Sequence, residues 1–456
     1  MASTPHHPHP HVALIPSAGM GHLIPFLRLS AMLAARGCAV SIIAAHPTVS
    51  ATESDHLSAF FAAYPEIKRI DFHLLPYKKS NFINEDPFFV QFEAIDKSTH
   101  LLRPVLSSLS PPLSAVVSDL PVLGSIARIT EDLSIPTYTL ITTSARFFCL
   151  MANLSLLLAA GDVNGGTIDV PGLGQVPVSS IPPPMLNPNH FFSATIAENT
   201  LPMPKLKGIL LNTFTWFESE AIEALNGTGL APILPVGPLQ PLQTVQGGSN
   251  LPWLDQQAQE SVLFISFGSR TALSKEQIRE LGAGLEKSGC NFLWVLKGSK
   301  VDKEDNQEVE ELIGEGFLER TQSKGLVVKG WVDQDQVLGH PSIGGFMSHC
   351  GWNSVMEAAR LGVPILAWPL HGDQKINAEV VEKIGLGLWS SRDWGWGGQK
   401  LVGRDEIADK IMEVMMDEKV RDRAKQIKER ACLVRDGNGD SELKLQEIIR
   451  SCIKET

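Results

Sequence analysis

The chain of 456 residues is poor in cysteine, with six in all: Cys38, Cys149, Cys290, Cys350, Cys432 and Cys452. No CxxC pair occurs, so neither a zinc ribbon nor a thioredoxin-like site is spelled out. Sparse, unpatterned thiols fit a reducing compartment. Positive charge is also short. Lys and Arg number 39 against 50 Asp and Glu, a net charge of −11. With no long basic run, that balance speaks against a nucleic-acid partner. Long hydrophobic runs are missing too. The most apolar stretch, Phe147 to Ala160, is too short to span a bilayer and contains Asn153 and Ser155. The first eleven residues hold four histidines and three prolines but no lysine or arginine, unlike a signal peptide. A cytoplasmic protein without membrane insertion is expected. Hydrophobic residues at 43% and charged residues at 20% are globular values, and the length calls for two domains.

What is present is an α/β rhythm, twice. His11 to Pro16 reads as a strand, Ser17 to His22 as a glycine-bearing turn, Leu23 to Ala35 as a helix and Cys38 to Ala44 as a buried strand. That order belongs to a parallel sheet. Ala115 to Ser118 and Thr137 to Thr142 add strands, the first ending at Asp119. Val170 to Pro188 is rich in proline and glycine and reads as a long irregular surface segment. Another such stretch, Val236 to Asn250, marks a linker. Beyond it Ser261 to Phe267, Phe292 to Leu296, Val327 to Lys329, Gly345 to Ser348 and Pro364 to Trp368 are strand candidates, with a helix over Lys275 to Lys287. The tail from Arg404 to Lys454 is helical by pattern. Two doubly wound domains facing each other across a cleft are expected, with ligands outside the carboxyl ends of the strands.

The densest cluster of chemistry-bearing residues runs from Trp331 to Gln374. Ser348-His-Cys-Gly-Trp352 follows a strand, and Asn353-Ser354 begin a helix whose free N–H groups and positive dipole end suit a phosphate. Asn353 and Glu357 share a face. A carboxylate one turn in from a phosphate site can take a pair of ribose hydroxyls. Asp373-Gln374 offer the mix of acceptors and donors that vicinal sugar hydroxyls need. Trp331 can stack on a base. Taken singly, each also has a structural reading: Asn353 as an N-cap, Trp331 and Trp352 as core, Asp373 as a helix-start charge. Their joint spacing carries the functional one.

This segment resembles the plant secondary product glycosyltransferase box of family 1 UDP-sugar glycosyltransferases. The match spans the whole box, and its His349-Cys-Gly-Trp-Asn-Ser354 core is ungapped. The resemblance extends along the chain through the Gly21-His22 turn and the Ser266-Phe-Gly-Ser269 turn. It implies the GT-B fold, with two facing Rossmann-like domains: an acceptor-binding domain at 1–240, a linker at 241–251, a UDP-sugar domain at 252–438, and a C-terminal helix at 439–456 packing back on the first. It implies that Trp331 stacks on uracil and the Val332 main chain holds its edge. Gln334 and Glu357 would hold the ribose. His349, Asn353, Ser354 and Ser269 would bind the diphosphate beside Gly351. Trp352, Asp373 and Gln374 would read the sugar, the glutamine pointing to glucose. Asp333 departs from the family, where most members have proline, and is expected to alter the loop. The resemblance also makes His22 the general base and Asp119 its partner. The chemistry agrees, since neutral imidazole takes a phenolic proton near neutral pH and a carboxylate behind it fixes the tautomer. A hydride-transfer reading fails, because Gly19-Met-Gly21 is followed by Ile24 and not by the third fingerprint glycine.

Ser17-Ala-Gly-Met-Gly-His22, Asp86-Pro-Phe-Phe89 and Asp393-Trp-Gly-Trp396 look closer to the flavonoid C-glucosyltransferase branch. That implies UDP-glucose as co-substrate, a polyphenolic acceptor contacted by Asp86, Phe88 and Phe89, no metal or other cofactor, and a monomer. The alternatives are a flavonoid O-glucosyltransferase and a UDP-sugar-binding protein without turnover. The acceptor pocket is expected from loops around Asn81 to Val90 and Val178 to His190.

Overall fold

A computed structural model describes residues 9–76, 78, 86–160, 166–243, 251–268, 270, 272–298, 307–389 and 400–454. The chain divides into two compact units, Met1–Val245 with Val434–Thr456, and Gln246–Leu433.

The first unit is a parallel sheet of seven strands. These are β1 (His11–Ile15), β2 (Ala39–His46), β3 (Lys68–His73), β4 (Ala115–Asp119), β5 (Thr137–Ile141), β8 (Gly208–Leu211) and β9 (Ile233–Pro235); the order across the sheet is β3-β2-β1-β4-β5-β8-β9. A separate antiparallel pair, β6 (Thr167–Val170) and β7 (Gly174–Pro177), leads into the stretch read as irregular, which begins at Val170. Its turn passes through Gly172 at φ 75, where a Cβ would lie 2.2 Å from that of Ala224. β1 is buried along its whole length, as a parallel strand covered on both faces must be. Helix Met20–Ala34 packs Leu23, Phe26, Leu27 and Leu33 against it.

The chain returns to this unit at Val434. Leu445, Ile448 and Cys452 of the terminal helix Asp440–Lys454 join the same core as Val12 and Val40. A buried charge cluster holds the helix. Glu442 accepts from Arg36 Nε and Nη2 at 2.9 and 2.6 Å and from Arg435 Nη2 at 3.0 Å. Arg36 and its neighbours hold the Glu442 carboxyl below the usual range. Removing one partner of a buried cluster leaves the others uncompensated. Glu442→Ala is therefore expected to destabilise the protein by about 3 kcal/mol, read as a lower urea midpoint; an unchanged midpoint would show the cluster to be incidental.

The second unit holds β10 (Val262–Ser266), β11 (Asn291–Leu296), β12 (Gly325–Lys329), β13 (Ile343–Ser348), β14 (Ile365–Ala367) and β15 (Gly387–Leu388). They form a parallel sheet in the order β12-β11-β10-β13-β14-β15. In both sheets the winding reverses once, between β1 and β4 and between β10 and β13. In doubly wound sheets the crevice at such a reversal, beyond the carboxyl ends of the strands, is where ligands sit. Among the described residues no helix is long and apolar enough to cross a membrane.

Candidate active site

The first constellation stands at the β1/β4 reversal. The register pairs Ile15 with Ser118, so the residues just past both strands meet. Asp119 is fully buried. Its Oδ2 accepts from the Ser17 N–H at 3.1 Å, the Ser17 hydroxyl at 2.5 Å and His22 Nδ1 at 2.9 Å; Oδ1 accepts from the Leu120 N–H at 2.8 Å. A carboxylate has only acceptor oxygens to offer its four donors. His22 Nδ1 therefore carries the proton, and Nε2 keeps the lone pair a base needs. Thr142, one residue past β5, places its hydroxyl 3.2 Å from the same Nδ1. His22 is 31% exposed, enough to reach a ligand.

Gly19 shapes the turn that presents His22. It has φ 98, and a Cβ there would lie 2.8 Å from the Phe88 ring. Phe88 is buried as a strut beneath the turn. Asp86 takes the N-cap of helix Pro87–Ser98, accepting from the Phe88 N–H at 3.0 Å. Phe89 has a different setting: its ring is 5.6 Å from Phe191, 6.2 Å from Phe192 and 6.3 Å from Phe92, whose edge meets His22 at 5.6 Å. Three residues expected at one acceptor thus divide, two supporting and one facing an aromatic cluster beside His22. Residues 81–85 lie outside the described residues.

The second constellation stands at the β10/β13 reversal, where Ser266 pairs with Ser348. His349 sits between two glycines. A Cβ at Gly268 would lie 2.7 Å from its Nε2, and one at Gly351 2.5 Å. Burial pushes the His349 imidazole down to about 4, outweighing the opposite pull of the Ser266 backbone. It is neutral and directional rather than cationic. Helix Trp352–Leu361 starts one residue earlier than expected, with Gly351 at the N-cap and Asn353 and Ser354 in the first turn. Gly351 takes the cap because no Cβ fits there, so Asn353 is not the cap residue. The Trp352 side chain is buried.

Gln334 joins residues the sequence placed in separate roles. Its Nε2 donates to Ser354 Oγ at 2.9 Å and to Glu357 Oε2 at 2.6 Å. Asp333 caps helix Gln334–Leu338, accepting from the Gln336 N–H at 3.1 Å, a bond proline cannot make. An Asp335–Arg360 ion pair ties this helix to the next. Val332 is buried, and Trp331 is 62% exposed, as a stacking platform requires.

β14 lies beside β13, so the loop carrying Asp373 and Gln374 runs beside His349. Gln374 Oε1 accepts from the Leu370 and His371 N–H groups at 2.8 and 3.0 Å, and its Nε2 lies 3.5 Å from His371 Nε2. Burial and the Arg270 charge push His371 down to about 3. Ser269 and Asp393–Trp396 lie outside the described residues. Ser17 and Gly268 stand in motifs read from the sequence and Thr142 ends a strand candidate, but none of the three was given a role at the site; strand register brings them in. Among the described residues no group of three His, Cys, Asp or Glu could hold a metal ion.

Residues 248–391 match the family described as UDP-glucoronosyl and UDP-glucosyl transferase. UDP-glycosyltransferase 708G2 of Citrus unshiu is 46% identical, over 97% of this chain and 96% of its own. UDP-glycosyltransferase CGT of Oryza sativa subsp. indica is 44% identical over the same shares. The crystal structure of LpCGTa in complex with UDP superposes with a TM-score of 0.87 at 46% identity, covering 98% of this chain and 99% of that one.

Proposed function

Because the chain belongs to the UDP-glucoronosyl and UDP-glucosyl transferase family, we propose that it is a UDP-glucose-dependent C-glucosyltransferase acting on an electron-rich phenolic ring, such as that of a 2-hydroxyflavanone or a dihydrochalcone. The observation that carries the reading is the bond from His22 Nδ1 to Asp119 at 2.9 Å, which leaves Nε2 as a base. Support for carbon rather than oxygen as the nucleophile comes from relatives whose names include CGT, for C-glucosyltransferase. The aromatic cluster of Phe89, Phe92, Phe191 and Phe192 suits a flat polyphenol.

Nε2 takes the phenolic proton, and the resulting charge spreads to the ortho carbon. That carbon attacks the anomeric carbon of glucose from the face opposite the diphosphate. The bond from the anomeric carbon to the diphosphate oxygen breaks, UDP leaves with the electron pair, and the configuration inverts to β. The ring proton passes from the attacked carbon to water, which restores aromaticity, and the phenolate oxygen recovers a proton from the His22 imidazolium. In the second unit Trp331 stacks on uracil beside the Val332 main chain, and Gln334 with Glu357 takes the ribose. His349, Asn353, Ser354 and the helix start at Gly351 meet the charge that builds on the diphosphate, where preorganised donors are most effective. Asp373, Gln374 and the Trp352 main chain hold the glucose.

Incubation with UDP-glucose and phloretin, followed by fragmentation mass spectrometry, tests this. The expected product shows cross-ring sugar cleavages that leave carbon on the aglycone, and it resists acid hydrolysis. Clean loss of the whole hexose would make the enzyme an O-glucosyltransferase with the same donor site. No product from any phenolic acceptor would leave a UDP-sugar-binding protein without turnover.

A further inference from the structure

The side chain of Asn377 is wholly buried on helix Gln374–Ile384, one turn after Asp373. Its Nδ2 has two hydrogens, and both are used. One goes to Asp373 Oδ2 at 2.9 Å, the other to the Cys350 carbonyl at 3.0 Å. Cys350 is one of three non-glycine residues with positive φ among the described residues, at 61°, in the left-handed region that disfavours side chains. It lies between His349 and the helix start at Gly351. A single amide thus ties the loop assigned to the diphosphate to the carboxylate assigned to the sugar.

Two features separate this from ordinary packing. The turn carrying Asp373 is closed independently, by Gln374 Oε1 on the Leu370 and His371 N–H groups. What Asn377 adds is a fixed plane for the Asp373 carboxylate. Moreover, Asn377 Oδ1 is buried without a partner among the described residues. The two donated bonds are thus kept at the cost of an unsatisfied buried carbonyl.

We infer that Asn377 is a positioning residue for sugar recognition, holding Asp373 in register with the Cys350 carbonyl. This rests on the reading of Asp373 as a glucose contact. The clamp acts more on the sugar than on the nucleotide, because Asn377 bonds the Asp373 carboxylate directly and reaches the diphosphate loop only through the Cys350 carbonyl.

Calorimetry on the full chain with UDP and with UDP-glucose tests it, and no acceptor is needed. Asn377→Ala is expected to weaken UDP-glucose about tenfold, the effect of losing a hydrogen bond to a charged group, while UDP changes by less than about twofold. In an Asp373→Ala background the same substitution is expected to cost UDP-glucose no more than it costs UDP, since its effect on the sugar acts through Asp373. Asn377→Asp keeps the volume, and UDP binding by each variant reports whether it has folded. It sets two carboxylates side by side, which raises the affinity of the pair for one shared proton. At about pH 5 the shared proton restores the bond to Asp373 but not the one to the Cys350 carbonyl, so UDP-glucose binding by that variant should be partly restored there and should fall toward about pH 8. Equal losses for UDP and UDP-glucose, additive losses in the double variant, or a flat pH profile for Asn377→Asp would overturn the clamp. If Asp373→Ala itself left UDP-glucose binding intact, the sugar reading would fall and the clamp with it.

Discussion

Replacing His22 by alanine is expected to lower kcat by roughly a hundred- to ten-thousand-fold, the usual range for losing a positioned general base. Binding of UDP should persist, since every residue assigned to the nucleotide belongs to the second unit. The pH profile distinguishes a lost base from a damaged fold. Without imidazole the acceptor must ionise in solution, so the residual rate should rise with hydroxide concentration until the phenol titrates. The native enzyme should instead respond at the lower pH where His22 loses its proton. Acceptors with more acidic hydroxyls should lose least in the variant, because they need the base least. A variant with full activity, or with a uniform loss across pH and acceptors, would remove His22 from the proton transfer.

Much of this site was legible because it is contiguous in sequence. The box from Trp331 to Gln374 runs through three successive strand–loop–helix passages, so its members belong to one continuous stretch that the family resemblance covers. The fold was legible in the longer buried strands: β1, β4 and β10 are unbroken runs of five buried residues, whereas β8, as buried but only four residues long, was not read. β3 was not, because it lies at the sheet edge and buries only Phe72 of its six residues. β9 escaped too, being three residues long and ending in proline. The hairpin β6–β7 hid in proline and glycine content that also describes a loop.

Contacts made through tertiary register were out of reach of the sequence. Nothing in the spacing of Ser17 and Asp119 announces three bonds to one carboxylate oxygen, which the pairing of Ile15 with Ser118 creates. Asp86 shows the reverse case. An aspartate before Pro-Phe-Phe reads equally as a polar contact or a helix cap, and the structure uses it as the cap. Asn377 carried a usable signal, since it stands four residues after Asp373 on a helix, the spacing at which side chains meet.

The second large effect is expected at Asp119. An asparagine in its place would be nearly isosteric, yet the amide cannot reproduce an acceptor that receives donors on both oxygens. If the amide nitrogen takes the place of Oδ2, it donates to His22 Nδ1, drives the proton to Nε2 and removes the lone pair that accepts from the acceptor; the Ser17 N–H also loses its partner. If the nitrogen takes the place of Oδ1, the Leu120 N–H is left facing another donor, and the imidazolium forms without a counter-charge. Either arrangement orphans a buried N–H at a cost of about 1–3 kcal/mol. Asp119→Asn should therefore be folded but less stable, with kcat lowered by about a hundredfold or more. Ser17→Ala removes one of the donors around the carboxylate and keeps its charge, so its loss should be smaller, about tenfold. Comparing the two at saturating UDP-glucose separates charge from orientation. A full rate for Asp119→Asn would mean that the imidazolium needs no counter-charge, and His22 would no longer be the group that takes the proton.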